Sequence, residues 1–501
     1  MTRLGRAPST RRRASRAASA TGAALLVLAL AACGSQLDPS TVAQVTGTGT
    51  GTGAGTGDQA GQLPGTTDPG LGTGLGTGTD PGTDPGTGTG TDPGTGPGGG
   101  TDPSADPGSN NSSTGGGHAA SCNGFDNSQP GVSADKIVIA NASDISGPVP
   151  GIFESAQQAT RAYVAYFNQT SDICGHKLDV QLLDSRADAG ADQQAYAKAC
   201  DSAFAAVGSV SAFDSGGADT AQACGLPDLR AYSLSAKRTA CTTCFAAYAV
   251  QPNLVPNAMP QYWVKKDKEA TQHVGMLYIN AGAAPENAKN FKAAWEANGW
   301  KVDVFAGIDV AEFNYAPYVQ QLKDAGVEMV NYTGPYQNTV KLQQAMKQQG
   351  YTPKIFFQDA TIYDANYVEQ AGDYGNGAYV YTQSALFDDY SIPEMKLYRD
   401  WLNQVAPGAV PNIYGVYAWS ATRLFVEQAV ALGGKLNRQT LIQALGKVKD
   451  WTGNGIHVPQ QVGAETTANC ASIIQLNNGK WTKVSPGDYL CGSMTNTGLG
   501  G

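Results

Sequence analysis

The chain has 501 residues, with 42 acidic against 33 basic side chains and a formal charge of −9. An acidic chain without a basic cluster cannot neutralise many phosphates, so neither nucleic acid nor electrostatic binding to anionic lipid is expected. The four histidines (His118, His176, His273, His457) are scattered and show no HxxxH or HExxH spacing, so no metal and no cofactor is expected.

Six arginines (Arg3, Arg6, Arg11, Arg12, Arg13, Arg16) precede an apolar run at 23–32, and no acid occurs before Asp38. A basic start, an apolar run of about ten residues and small residues before a cut point predict an export signal over 1–32. The run is too short to span a bilayer, which needs about 20 residues. Removing it takes away six arginines and leaves a formal charge of −15. Residues 33–121 are nearly all Gly, Thr, Pro, Asp and Ser, with eight Asp and no Lys or Arg. So little apolar surface cannot offset the entropy of ordering, and a flexible tether is expected. Its end-to-end distance would be on the order of 50 Å. GxGxxG-like matches inside it carry no nucleotide meaning, because no strand precedes them and no helix follows.

From about residue 133 apolar runs alternate with helical patterns. Strands are predicted at 136–140, 178–183, 207–211, 274–279, 302–305, 329–332, 355–358 and 378–381. Helices are predicted at 153–169, 189–206, from 211 to 224, and at 284–298, 316–325 and 339–349. That alternation argues for an α/β chain with parallel sheets covered on both faces. Its length exceeds one such sheet, and a break near Pro252 suggests two lobes. Longer helices follow at 394–405, 414–432 and 438–448. Ala471-Ser-Ile-Ile-Gln-Leu476, Asn477-Asn-Gly479 and Lys480-Trp-Thr-Lys-Val484 read as a hairpin with an Asn-Gly turn.

Nine cysteines are present, and eight remain if Cys33 is modified: Cys122, Cys174, Cys200, Cys224, Cys241, Cys244, Cys470 and Cys491. An even number in an exported chain suggests disulfides, although sequence cannot fix their connectivity. Cys241-Thr-Thr-Cys244 also fits a redox CxxC, but no Trp precedes it and no thioredoxin-like context surrounds it. The working pairs are Cys200–Cys224 at the ends of successive helices, Cys470–Cys491 flanking the hairpin, Cys122–Cys174, and Cys241–Cys244 by remainder.

Leu30-Ala-Ala-Cys33 resembles the lipobox of bacterial lipoproteins, which implies a lipid on Cys33 and cleavage before it. The order of pieces over about 131–491 resembles the type I periplasmic binding proteins, in the leucine/isoleucine/valine-binding branch. The motifs that carry this are Gly131-Val-Ser-Ala-Asp-Lys-Ile-Val-Ile139, Asp144-Ile-Ser-Gly-Pro148, Gly175-His-Lys-Leu178, Tyr414-Gly-Val-Tyr-Ala-Trp419 and Asn477-Asn-Gly-Lys-Trp481. The resemblance implies two Rossmann-like lobes joined by a three-strand hinge, with crossings near Gln251, Gln383 and Trp451. Lobe 1 would hold 122–251 and 384–450, lobe 2 would hold 252–383 and 451–491, and 492–501 would be a flexible tail. It further implies an extracytoplasmic, lipid-anchored subunit that captures an amino acid or related amide or acid for an ABC permease in the membrane.

Ligands of open α/β sheets bind at the carboxyl ends of the strands, where helix starts favour anionic groups. Ser146, Ser211, Asp214, Ser215, Ser233 and Ser235 on lobe 1 are candidates by position, each serine having an N-cap as its plainer role. On lobe 2 the resemblance places aromatic walls and a carboxylate at Tyr278, Tyr336 and Asp359, with Asp359 suited to pair with an ammonium. Phe213-Asp214 and Lys237-Arg238 depart from the pattern of amino-acid binders. They put branched-chain ligands in doubt and suggest Asp214 as an alternative ammonium partner. No GxSxG, SxxK or HExxH motif lies at a strand end, so an enzyme is not expected, and a tethered hydrolase is the weakest alternative. A ligand sensor of the same fold remains an alternative to transport.

Overall fold

The structure is a computed structural model and describes residues 120–499. The export segment 1–32, Cys33 and the expected tether up to residue 119 lie outside the described residues.

The first sheet is parallel and ordered β2-β1-β3-β4-β5, from β1 (Lys136–Ser143), β2 (Lys177–Asp184), β3 (Ala205–Val207), β4 (Asp228–Ser233) and β5 (Cys244–Ala249). After Lys136, β1 is a continuous apolar and small run with both faces covered, as parallel strands require. It pairs with β2 from Lys136↔Lys177 to Ser143↔Asp184. The predicted helix at 189–206 runs too far. The helix ends at Ser202, and Ala205 to Val207 become β3, because burial on both faces overrides the helix propensity of alanine.

Past β6 (Leu254–Pro256), a second sheet contains β7 (Val274–Ile279), β8 (Val302–Ile308), β9 (Met329–Thr333), β10 (Ile355–Gln358), β11 (Tyr379–Thr382), β12 (Cys470–Asn477) and β13 (Lys480–Lys483). Its order is β13-β12-β11-β10-β9-β7-β8, with β12 antiparallel to β11 and to β13. Its parallel part repeats the crossing pattern of the first sheet. Strand order reverses between β1 and β3 and again between β7 and β9, where such sheets leave a crevice.

Helices α1 (Glu154–Thr170), α2 (Ala189–Ser202), α3 (Ala218–Ala223) and α4 (Ala236–Thr239) follow strands of the first sheet. Helices α5 (Ala258–Lys266), α6 (Ala284–Ala297), α7 (Ala316–Asp324), α8 (Tyr336–Gln348) and α9 (Ala365–Ala371) belong with the second. The chain then returns: α10 (Pro393–Val405) and α11 (Ile413–Leu432) pack on α1, and α12 (Arg438–Leu445) packs on α11. The core of α11 is Trp419, fully buried, whose indole N–H donates to Glu394 Oε1 at 2.6 Å while Arg423 pairs with Oε2 at 2.8 Å.

Three passages join the lobes and touch one another. The Gln251 amide donates to Thr467 Oγ1 at 2.8 Å, the Val458 amide to the Gln383 carbonyl at 2.8 Å, and Gln383 Nε2 to the Ala468 carbonyl at 3.2 Å. The third passage falls at Thr467–Ala468 rather than near Trp451. The Glu465 carboxylate accepts from the Ala246 amide of β5 and from Ser233 Oγ, which holds the chain on the first sheet until that point. The segment after 491 is also not a loose tail: β15 (Met494–Asn496) pairs antiparallel with β6, and Thr495 Oγ1 donates to Asn257 at 2.7 Å. Preceding it, β14 (Leu490–Cys491) pairs with β12.

Four disulfides are present, Cys122–Cys174, Cys200–Cys224, Cys241–Cys244 and Cys470–Cys491, the same pairs set out above. Arg438 donates to the carbonyls of Cys200, Ala203, Phe204 and Cys224, satisfying carbonyls left open where α2 and α3 end.

His457, beside the passages, is buried neutral. Ser420 Oγ lies 2.7 Å from its Nε2, the Val458 carbonyl is 2.8 Å from Nδ1, and its ring stacks on Tyr417. Burial lowers its pKa from 6.5 to about 4. The unfolded chain therefore binds a proton below pH 6.5 that the folded chain refuses until about pH 4. Stability contributed by His457 is lost as pH falls through that window, by about 3 kcal/mol. Buried acids such as Asp228 and Glu465, whose pKa values burial raises, act with the opposite sign. The difference in urea stability between the parent and His457→Gln isolates the histidine: it should shrink on acidification. Parallel pH profiles for the two proteins would refute this.

A cleft between the carboxyl ends of the two sheets

Loops at the carboxyl ends of β1, β3 and β4 face those of β7, β9 and β10 across a cavity of about 220 Å³. Its walls are largely apolar: Val149, Ile152, Phe153 and Phe213 from the first lobe, Ile279 and Phe291 from the second. Tyr232, Tyr248, Tyr381 and Tyr414 also line it. The rings of Tyr232 and Tyr248 stack at 4.4 Å, and Tyr414 lies 5.2 Å from Tyr232. Burial raises all four phenol pKa values, and the charge of Asp359 adds to each, so the hydroxyls stay protonated. None of the four hydroxyls has a protein partner among the described residues.

The lining holds two acids, Asp144 and Asp359, and no Lys, Arg or His. Asp144 is saturated: Oδ1 accepts from Ser185 Oγ at 2.6 Å and the Ala187 amide at 2.9 Å, and Oδ2 from the Ala212 amide at 2.8 Å. Asp359 is different. Its Oδ1 accepts from the amide and hydroxyl of Thr361, at 3.0 and 2.6 Å, while Oδ2 has no partner among the described residues. Burial pushes its carboxyl above the ordinary range.

The lobes meet at the rim. The Ala283 amide donates to the Ala212 carbonyl at 2.9 Å and Asn287 Nδ2 to the Leu234 carbonyl at 3.1 Å. On the other flank Asn412 Nδ2, at the start of α11, donates to Asp364 Oδ2, at the start of α9, at 3.0 Å. A second cavity of about 550 Å³ adjoins the first, lined by Asp214, Ser215, Ser235, Lys237, Gly282 and Glu286 among others.

Beneath the first-lobe wall lies a buried charge network. Arg238 donates to the Asp214 carbonyl at 2.7 Å, to Asp228 Oδ2 at 2.9 Å and to Asp192 Oδ2 at 3.1 Å, and lies over the Tyr196 ring at 4.4 Å. Asp192 in turn accepts from the Gly217 amide at 2.8 Å. One guanidinium thus ties together the loops that end β3 and β4.

Of the nine candidate ligand residues, Asp359 lines the first cavity, and Asp214, Ser215 and Ser235 line the second. Asp214 is fully buried and accepts from the Leu234 amide and Ser235 Oγ, both at 2.6 Å. Ser235 also caps α4. Ser146 Oγ turns away to Asp184 at 2.5 Å, Ser211 Oγ accepts from the Phe213 amide at 3.1 Å, and Ser233 donates to Glu465 at 3.3 Å. Tyr278 packs on Phe305, and the Tyr336 hydroxyl accepts from Gln370 at 3.5 Å, both outside the cavity lining. The four wall tyrosines were not candidates. Tyr232, Tyr248 and Tyr381 each lie one residue before the carboxyl end of a strand, and Tyr414 near the start of α11; an aromatic at such a position was the available signal.

A family model described as periplasmic binding protein matches residues 136–480. The chain belongs to this family. Among solved structures, this periplasmic binding protein is similar to the branched-chain amino acid transporter substrate-binding protein LivJ of Streptococcus pneumoniae, solved with isoleucine. Identity is 16%, the match covers 70% of this chain and 100% of that one, and the TM-score is 0.60. A fatty acid ABC transporter substrate-binding protein from Thermomonospora curvata matches with 16% identity over 74% of this chain and 96% of that one, at a TM-score of 0.63. A solute-binding protein from R. palustris, in complex with 4-hydroxybenzoate, matches with 18% identity over 73% and 99%, at 0.60. No curated protein matches. Among the described residues no helix is long and apolar enough to cross a membrane, and no cluster of His, Cys, Asp and Glu could hold a metal ion.

Proposed function

We propose that this periplasmic binding protein is the solute-capturing subunit of an ABC importer, held to the outer face of the cell membrane by a lipid on Cys33. It binds a small molecule between its lobes and does no chemistry on it. The observation that carries the reading is the cavity between the carboxyl ends of both sheets, at the reversal point of each. Few hydrogen bonds bridge its rim, so the lobes can part about the three adjoining passages and reclose when a solute adds contacts made only in the closed state. The first lobe takes in the chain to about 251 and from 384 to 466, and the second takes the remainder. The structures of LivJ with isoleucine and of the R. palustris protein with 4-hydroxybenzoate support a solute role for this fold.

Native mass spectrometry of the full chain, extracted from its own membranes without added ligand, should show an adduct of one small molecule that denaturation releases. The same preparation from Cys33→Ala cells should move to the soluble fraction. The same mass in the folded as in the denatured chain would count against solute capture, and an unmoved Cys33→Ala protein against the anchor.

A further inference from the structure

We propose that Phe213 sets the length of the solute: its ring is the partition between the solute cavity and the larger cavity beside it, and it turns away molecules too long for the first. This deepens the solute-capture reading and rests on it.

The two cavities measure about 220 and 550 Å³. Three of the described residues line both: Ala212 and Phe213 on the first lobe and Ala283 on the second. Two of these are alanines, so among the described residues the Phe213 ring is the one side chain longer than a methyl that stands between the cavities. The chemistry changes across it. On one side are the apolar walls Ile152, Phe153, Ile279 and Phe291, and on the other Asp214, Ser215, Lys237 and Glu286. Phe213 is also one of the residues at which this chain departs from the pattern of amino-acid binders.

The ring stands on a fixed backbone. The Ala212 amide donates to Asp144 Oδ2 at 2.8 Å, the Phe213 amide to Ser211 Oγ at 3.1 Å, and the Phe213 carbonyl accepts from the Gly216 amide at 3.0 Å. The next residue, Asp214, is held through its carbonyl by Arg238 and through its carboxylate by the Leu234 amide and Ser235 Oγ. None of these bonds uses the phenyl ring, so shortening it should open the partition without collapsing the loop. The partition is complete only when the lobes meet, because Ala283 comes from the facing lobe and its amide must reach the Ala212 carbonyl, at 2.9 Å. A solute that crosses the partition stands in the way of that bond. It occupies the open form and opposes closure, so length is read as a difference between the two forms.

The test is calorimetric titration of the full chain, after removal of any bound solute, with 4-(ω-hydroxyalkyl)phenols carrying from two to eight methylenes. Their ring suits the apolar walls, the phenol hydroxyl suits the unpartnered tyrosine hydroxyls, and the far hydroxyl suits the polar cavity. In the parent, affinity should rise by up to about fourfold per methylene, then drop by about tenfold or more once the tail reaches the Phe213 ring. Phe213→Ala should move that drop by about two methylenes or more, and Phe213→Leu by about one, while the shortest member stays within about threefold of its parent affinity. Phe291→Ala removes the same ring from a residue that lines the first cavity alone, and the drop should stay within about one methylene of the parent's. An unmoved drop in Phe213→Ala, an equal shift in Phe291→Ala, or no drop in the parent up to eight methylenes overturns the length limit, while the binding itself leaves solute capture standing. Binding of none of the series also overturns it, and solute capture then stands on the co-purified solute. If there is no co-purified solute either, both readings fall together.

Discussion

Arg238→Met should lower the unfolding free energy by about 3–5 kcal/mol, the largest loss expected of any single substitution on the first lobe. Methionine keeps most of the buried volume, so the loss does not come from a cavity. It comes from what the guanidinium leaves behind. Asp192 and Asp228 are both fully buried, and Arg238 lies 3.1 and 2.9 Å from them. Asp228 would keep Arg230 at 3.8 Å and the Tyr196 hydroxyl, whereas Asp192, whose pKa burial already raises to about 6, would keep only the Gly217 amide and must either stay charged without its main cation or take up a proton. The Asp214 carbonyl would also lose its donor. Denaturant unfolding measures the difference, with Lys237→Met as the control. That neighbouring lysine pairs with Asp219 at 2.7 Å on the half-exposed surface, and its removal should cost less than about 1 kcal/mol. Equal, small losses in both variants would show that the network is no more than an exchangeable ion cluster. The loops that Arg238 ties down form a cleft wall, so Arg238→Met should also weaken solute binding in whatever fraction remains folded.

How much of this was legible in the sequence follows from the range of the forces involved. β1, β7 and β10 stand where continuous apolar runs put them, because burial on both faces writes itself into consecutive residues. The cleft is different. Asp214 reads as a ligand group because it sits in a Ser- and Gly-rich turn at a strand's end. The groups that occupy it, the Leu234 amide and the Ser235 hydroxyl, arrive from the next βα unit. Lys237-Arg238 reads as a departure from the amino-acid binders' pattern in a cleft turn, and nothing local says that Arg238 turns under the sheet while Lys237 stays out. The tyrosine ring is assembled from β4, β5, β11 and the start of α11, so no window of sequence contains it. Asp359, which the resemblance singled out after a strand, does line the cavity, whereas Tyr278 at the end of β7 does not, so a strand's end alone does not decide which side chains reach the cleft. The closing strand β15 was missed because Gly, Ser and Thr around it share the composition of the N-terminal linker, while its partner β6 lies far back in the chain.

A methyl group at Gly282 should weaken solute binding by about 10- to 100-fold while the chain stays folded. Gly282 has φ +56°, and a Cβ built there would collide with the Ala212 carbonyl of the facing lobe. That carbonyl is the acceptor for the Ala283 amide, one of the rim bonds that exist only when the lobes meet. Gly282→Ala therefore has two costs. The left-handed backbone disfavours alanine by about 1 kcal/mol, in the open and closed forms alike. The collision acts in the closed form alone, and only a difference between states moves their populations. Gly225→Ala separates the two. Its φ is +66° and nothing lies within 4 Å of the added carbon, so it carries the strain without the collision. Calorimetric titration with the co-purified solute should give a parent-like affinity for Gly225→Ala and a weakened one for Gly282→Ala, with similar denaturant midpoints for both. Matched affinities in the two variants would mean that the contact between Gly282 and Ala212 is not part of the bound state, and that the solute is held without closure at this rim.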